Sequence, residues 1–239
     1  MTVHPSDPQA IWKPTPPSLP FTDDHIDVWR YTTHVPPEEH AYLAGLLSDE
    51  EKQKAARLRD PLKRAESEIS RGMLRCLLSR SINTEAHKLV FKVGPHGKPY
   101  LTDQYHGKRI GFNISHTKGC ILIAIGLNRD IGIDVEWLPP DFHWQPIARQ
   151  FLSPMEVEHL SGVPPEDQCR AFFTRWVRSE AILKAIGIGI IHGPTPPGPT
   201  GHEGDWSTTD LNVGPDHTAA VASTGSAYAL RLWLPPKLL

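Results

Sequence analysis

Two carboxylates stand two residues apart in Ile131-Gly132-Ile133-Asp134-Val135-Glu136. On an extended strand that spacing sends both acids to one face, with Ile133 and Val135 on the other. Adjacent carboxylates repel unless a cation or water relieves them. Hard oxygens of this kind suit Mg²⁺, which typically takes one or two carboxylates beside phosphates and water. The ordinary alternative is a strand face carrying two solvated acids. A third acid, Glu180, lies four residues before Lys184 and four after Trp176. On a helix these share one face, and Glu180 with Lys184 reads in isolation as an i,i+4 pair contributing about 0.2–0.5 kcal/mol. His116 ends the stretch Asn113-Ile114-Ser115-His116. Its pairing with Ser115 is no hydrolase dyad, because strand neighbours point to opposite faces. Gly97-Lys98-Pro99 is a turn whose ammonium could meet a phosphate. Glu51-Lys52-Gln53-Lys54-Ala55-Ala56-Arg57 reads first as a solvated helix face.

The elements that must carry these residues are legible from periodicity and caps. Ile26–Tyr31 alternates as a strand. Ser48 with Glu51 is a capping box opening a charged helix to about Arg59, and Leu62–Arg80 is a second helix with an apolar stripe from Ile69 to Leu78. Strands are expected at Lys88–Val93, Arg109–Ile114, Gly119–Leu127 and Gly132–Leu138. Ser153-Pro154-Met155-Glu156 places a cap, an N1 proline and an N3 glutamate in order. Pro165–Ile186 is the longest helical pattern, closed by Gly187. Asp205–Leu211, Thr218–Ser223 and Tyr228–Leu234 complete an α+β pattern. No internal repeat is visible in the letters.

Composition narrows the classes. The chain has 239 residues with 25 Lys+Arg against 27 Asp+Glu, a net charge of -2. That balance gives no support to a general nucleic-acid binder. The longest apolar run, Cys120–Leu127, is far short of a membrane span, and the first residues do not read as a signal peptide. Cys76, Cys120 and Cys169 are too scattered for a disulfide framework or a zinc site, which points to a reducing cytoplasm. Proline is the oddity, at 24 residues. Residues 1–20 read as an irregular proline-rich arm and His192–Gly204 as a loop.

The order and separation of the motifs are more specific than any one of them. Gly97-Lys98-Pro99-Tyr100-Leu101, Phe112-Asn113-Ile114-Ser115-His116 and Gly132-Ile133-Asp134-Val135-Glu136 come first. Phe151-Leu152-Ser153-Pro154-Met155-Glu156 and Trp176-Val177-Arg178-Ser179-Glu180-Ala181-Ile182-Leu183-Lys184 follow. In this series the chain resembles the long, surfactin-synthetase-activating type of 4'-phosphopantetheinyl transferase.

The resemblance implies a fold of two similar α/β halves in one monomeric chain, about 21–130 and 131–239, with coenzyme A in the cleft between them. It implies transfer of the phosphopantetheine arm of coenzyme A to a serine of an acyl or peptidyl carrier protein, with release of adenosine 3',5'-bisphosphate. Carried over by motif, Asp134, Glu136 and Glu180 would hold Mg²⁺. Asp134, Glu180 and Lys184 would be catalytic, Glu180 taking the serine proton and Lys184 meeting phosphate oxygens. Gly97, Lys98, Pro99, Asn113, Ser115 and His116 would line the coenzyme A site. Lys54 would face the 3'-phosphate, with Lys52 and Arg57 as alternatives. One departure stands out: Ser179 occupies the place of the family's lysine, and Arg178 is rotated about 100° from it. A catalytically silent relative that binds coenzyme A or carrier protein is the alternative of another class, and a Mg²⁺-dependent phosphoesterase acting on a free nucleotide is a third.

Overall fold

The apolar run Cys120–Leu127 is buried along its whole length, and the chain is layered around it. The computed structural model describes residues 11–188, 206–225 and 228–238. Residues 1–10 of the arm, Gly189 and the proline loop 192–204 lie outside the described residues. In chain order the elements are β1 (Lys13–Pro14), β2 (His25–Thr32), α1 (Pro37–Gly45), α2 (Asp49–Ala56) and α3 (Pro61–Ile82). Next come β3 (Phe91–Val93), β4 (Pro99–Leu101), β5 (Gln104–Tyr105), β6 (Lys108–Thr117), β7 (Cys120–Leu127) and β8 (Ile131–Trp137). The remainder is α4 (Gln145–Phe151), α5 (Pro154–Ser161), α6 (Pro165–Ile186), β9 (Trp206–Leu211), β10 (His217–Thr224) and β11 (Ala229–Leu234).

The α+β class expected from the sequence is the class observed. One sheet runs β1-β11-β2-β7-β6-β5 and a second β8-β10-β9, with β3-β4 as a separate hairpin. The strand at 229–234, assigned by sequence to the second half, pairs in parallel with β2 of the first. Between the two sheets lies a core of Ile26, Val28, Leu122, Ala124, Ile133, Val135 and Val221. The stripe of α3 expected from the sequence (Ile69, Met73, Leu74, Leu77, Leu78) covers the other face of the larger sheet. On the outer face of the smaller sheet, α6 lays Val177 and Ala181 on Ala220 and Ala222 of β10. Small side chains on both surfaces let the helix sit close. Gly132 makes the approach closest: a Cβ there would come 1.8 Å from the Ala181 carbonyl oxygen, so only glycine fits. That contact brings the last turns of α6 down onto the start of β8.

Both predicted capping boxes are present, Ser48 with Glu51 and Ser153 with Glu156. Gly187 closes α6 with φ 88°. The charged helix is shorter than expected, ending at Ala56, because Asp60 caps a new helix at Pro61. The strand expected over Lys88–Val93 is a 3₁₀ turn at Ala86–Lys88 followed by the short β3. Sequence reading missed α1, although Pro37 with Glu38 and Glu39 in its first turn is an N-terminal signal.

Candidate active site

The strand β8 presents its alternate residues as expected. Ile131, Ile133 and Val135 enter the core between the sheets, and Asp134 and Glu136 face α6. The outer edge of β8 is held by side chains from β6: Asn113 Oδ1 accepts the Ile133 N–H at 2.9 Å, and Ser115 Oγ accepts that of Val135 at 3.3 Å. Ser115 Oγ also donates to Asp134 Oδ1 at 3.0 Å and accepts from Lys184 Nζ at 3.0 Å. Its one proton and two lone pairs are all engaged.

Lys184 does not pair with Glu180 as the i,i+4 reading expects. Its ammonium lies 2.5 Å from Asp134 Oδ1 on the neighbouring element. The close seat of α6 on Gly132 explains the correction: a buried carboxylate lies within reach, and a desolvated partner attracts more strongly than a solvated one. Asp134 is only 4% exposed and Glu180 8%. Burial, foremost, holds both carboxyls above their usual range, and for Glu180 the charge of Asp134 adds to it. Glu136 is pushed up to about 7 by burial and by the charges of Asp134 and Glu180. Three acids thus share one small space with one ammonium. Asp134 Oδ2 is buried without a hydrogen-bond partner, a costly state for a carboxylate oxygen.

The first half of the chain supplies a contrasting aspartate. Ile26-Asp27-Val28 on β2 repeats the tripeptide Ile133-Asp134-Val135 on β8. Asp27 is closed: Arg231 grips both its oxygens at 2.7 Å, and the Trp233 indole donates at 2.7 Å. Asp134 keeps one oxygen open. A closed buried ion pair is structural, whereas an open carboxylate beside two more acids is equipped to bind.

Other predicted residues fall around this centre. His116 turns toward Glu66 at 3.7 Å and feels the charge of Lys184, while burial lowers its imidazole. Gly97 takes φ 86° in the turn before β4, where Pro99 begins the strand. Lys98 does not extend freely into the cleft. Its Nζ donates to the Ile131 and Ala185 carbonyls at 2.9 and 2.7 Å, and burial pushes it down to about 8. It ties the start of β8 to the end of α6. Lys54 is exposed on the last turn of α2. Arg178 is drawn away to Asp210, 2.7 and 2.5 Å from its two oxygens, and does not stand in for the lysine absent at Ser179. Sequence reading missed the part of Trp176, whose side chain hydrogen-bonds Glu136. Its four-residue offset from Glu180 was the available signal. Among the described residues no three His, Cys, Asp or Glu side chains are already arranged as a metal site.

These acids lower the stability of the free protein as they ionise. A folded Glu136 keeps its proton to about 7, while the unperturbed carboxyl loses it near 4.5. The folded state therefore binds more protons across that window, and stability falls as pH rises through it. Urea unfolding without divalent cations is expected to show a higher midpoint at pH 5 than at pH 8, and Glu136→Gln should flatten the difference.

Comparison with known proteins decides the family. The pattern described as "4'-phosphopantetheinyl transferase, N-terminal" matches residues 33–126, and that of the 4'-phosphopantetheinyl transferase superfamily matches residues 130–197. The chain is 33% identical to the 4'-phosphopantetheinyl transferase HetI of Nostoc over 233 residues, covering 94% of this chain and 98% of the relative. It belongs to the 4'-phosphopantetheinyl transferases. A putative 4'-phosphopantetheinyl transferase of Synechocystis is 34% identical over 62% of this chain and 60% of its own length. The transferase gsp of Aneurinibacillus migulanus is 29% identical over 62% of this chain and 60% of its own length. The enzyme accordingly transfers 4'-phosphopantetheine from coenzyme A to carrier proteins. No helix among its described residues is long and apolar enough to cross a membrane.

Proposed function

We propose that Asp134, Glu136 and Glu180 are the ligands of a divalent cation, Mg²⁺, and that this cluster with Lys184 performs the transfer. The observation that carries the reading is the unpartnered, buried Oδ2 of Asp134 beside two further acids. The donors are all hard carboxylate oxygens, the set that suits Mg²⁺. When bound, the cation neutralises charge on pyrophosphate oxygens.

The carrier's serine oxygen forms a bond to the β-phosphorus as the bond to the departing adenosine bisphosphate breaks. Glu180, raised by burial, is suited to take the serine proton. Lys184, released from Asp134, donates to oxygens of the departing phosphate, where negative charge grows. Ser115 and His116 border the phosphates from β6. The Lys98 ammonium, engaged with two carbonyls, fixes the wall between β8 and α6, and Gly97 and Pro99 shape the adjoining turn. Asn113 keeps the β8 edge in place. The enzyme works as a monomer in the cytoplasm, on coenzyme A and an acyl or peptidyl carrier, without nucleic acid or membrane, with halves at 21–130 and 131–239. Of the stretch before them, Lys13–Pro14 pairs with β11, which itself joins the sheet of the first half.

The test is intact-mass spectrometry of an apo carrier domain incubated with coenzyme A and the enzyme. The carrier is expected to gain the mass of the arm with Mg²⁺ and to gain nothing with a chelator. No gain under either condition would refute the reading. A finer expectation concerns Lys54. If it faces the 3'-phosphate, 3'-dephospho-coenzyme A binds more weakly than coenzyme A in calorimetry. The gap narrows with salt, because exposed charges are screened over about 8–10 Å at physiological ionic strength. Equal affinities would remove Lys54 from the site.

A further inference from the structure

A basic cavity lies on the opposite side of β8 and β10 from the acids. A cavity of about 560 Å³ is lined by Trp12, Arg30, His34, Lys118, Cys120 and His217 among others. It opens at one end of the space between the sheets. Arg30 follows Ile26 and Val28 on the inward face of β2, and both of these belong to that core. His217 opposes Trp137 in register, whereas Asp134 and Glu136 alternate to the other face.

The lining contains four basic side chains and no carboxylate. Among the described residues none of the four belongs to an ion pair. The acid that acts on His217 is Asp216, its exposed neighbour. Arg30 hydrogen-bonds the sulfur of Cys120, whose thiol burial keeps protonated, so the cysteine offers no nucleophile. Lys118 lies 5.3 Å above the Trp137 ring, and the His34 ring packs against Gly119. The ring of His217 is held by main-chain hydrogen bonds at Thr117 and Lys118, and its Nε2 is buried without a partner. A half-buried guanidinium and an ammonium supply donors for a compact multivalent anion. The His217 Nε2 lone pair, left over when the other ring nitrogen donates to the main chain, is placed to accept the P–O–H of a monoprotonated phosphate.

We propose that this cavity binds a phosphate group, free or as a monoester, with Arg30 and His217 at its floor and Lys118 and His34 at its rim. The cavity exceeds the size of phosphate alone, and Trp12 walls space for the organic part of a monoester. Two sources share this chemistry: inorganic phosphate, and the reaction's own product, which carries two phosphate monoesters. The site is separate from the proposed metal cluster.

The test titrates inorganic phosphate into the full-length protein at constant ionic strength set by chloride, following the His217 imidazole by NMR, with His217→Gln assigning the resonance. A saturable shift is expected. It should need at least about tenfold more phosphate in Arg30→Met and in Lys118→Met, and be unchanged in Lys184→Met. Arg30→Lys should restore part of the affinity, which separates lost charge from lost packing. Lys118 is exposed, so its variant remains informative if Arg30→Met unfolds. Repeating the titration with adenosine 3',5'-bisphosphate in Lys184→Met distinguishes the sources. Tighter binding than phosphate assigns the product, and equal or weaker binding assigns free phosphate. No saturable shift at His217, or one that persists unchanged in Lys118→Met and Arg30→Met, overturns the proposal.

Discussion

Asp134→Asn is expected to transfer the arm at less than about a hundredth of the wild-type rate, the scale lost when a group aimed at developing charge is removed. Folding should survive. The amide keeps an oxygen for Ser115 and Lys184, which now meet at Asp134 Oδ1. The substitution removes a buried charge that desolvation disfavours and relieves Glu136 and Glu180 of their shared neighbour. Lys184 is 31% exposed and can turn its head to water. In cation-free buffer at pH 8 the variant should therefore unfold within about 1 kcal/mol of wild type, because the lost ion pair is offset by relief of the buried charge's desolvation. Steady-state transfer and urea unfolding on the same preparation check both halves. A variant that unfolds, or one that transfers at the wild-type rate, contradicts the assignment.

Lys184→Met should also lower the transfer rate about a hundredfold or more, since the ammonium offered to the departing phosphate is lost. Its effect on stability differs from that of an exposed i,i+4 pair. Removing one partner of a buried pair strands the other, which costs about 3–5 kcal/mol when the charge has no escape. Asp134 has an escape, because burial already holds its carboxyl above the usual range and it can take up a proton. The expected loss is therefore about 1–3 kcal/mol at pH 8 and smaller at pH 5. Urea midpoints at the two pH values measure it. A loss that is the same at both, or that stays below about 0.5 kcal/mol at pH 8, would show that Asp134 does not depend on Lys184.

That contrast marks how far the sequence reached. Alternation placed Asp134 and Glu136 on one strand face and helical spacing placed Glu180 and Lys184 on one helix face. The structure brings all four together, although Lys184 pairs with Asp134 and not with Glu180. Periodicity is local, however, and pairing is not. Nothing in the spacing of Lys184 says that Gly132 lets α6 descend until an ammonium meets the strand's aspartate. The same limit hid the role of Lys98, whose partners are main-chain carbonyls 33 and 87 residues away. It also hid the likeness of Asp27 to Asp134. Three shared letters are too few to read as a repeat, and only their partners separate the closed aspartate from the open one. The caps at Ser48, Ser153 and Gly187 were legible because their chemistry lies within four residues. The short α1 and α4 were not, because a helix of two turns shows too little periodicity to stand out.

On the proposed assignment, three acids surrender one ammonium to take a divalent cation. Calorimetric titration of Mg²⁺ into the enzyme with coenzyme A bound tests it most directly, comparing wild type with Asp134→Asn, Glu136→Gln and Glu180→Gln. One cation per chain is expected for wild type, with proton release at pH 6 as Glu136 ionises, and affinity at least about tenfold weaker in each variant. Equal Mg²⁺ affinity in wild type and Asp134→Asn would contradict the account.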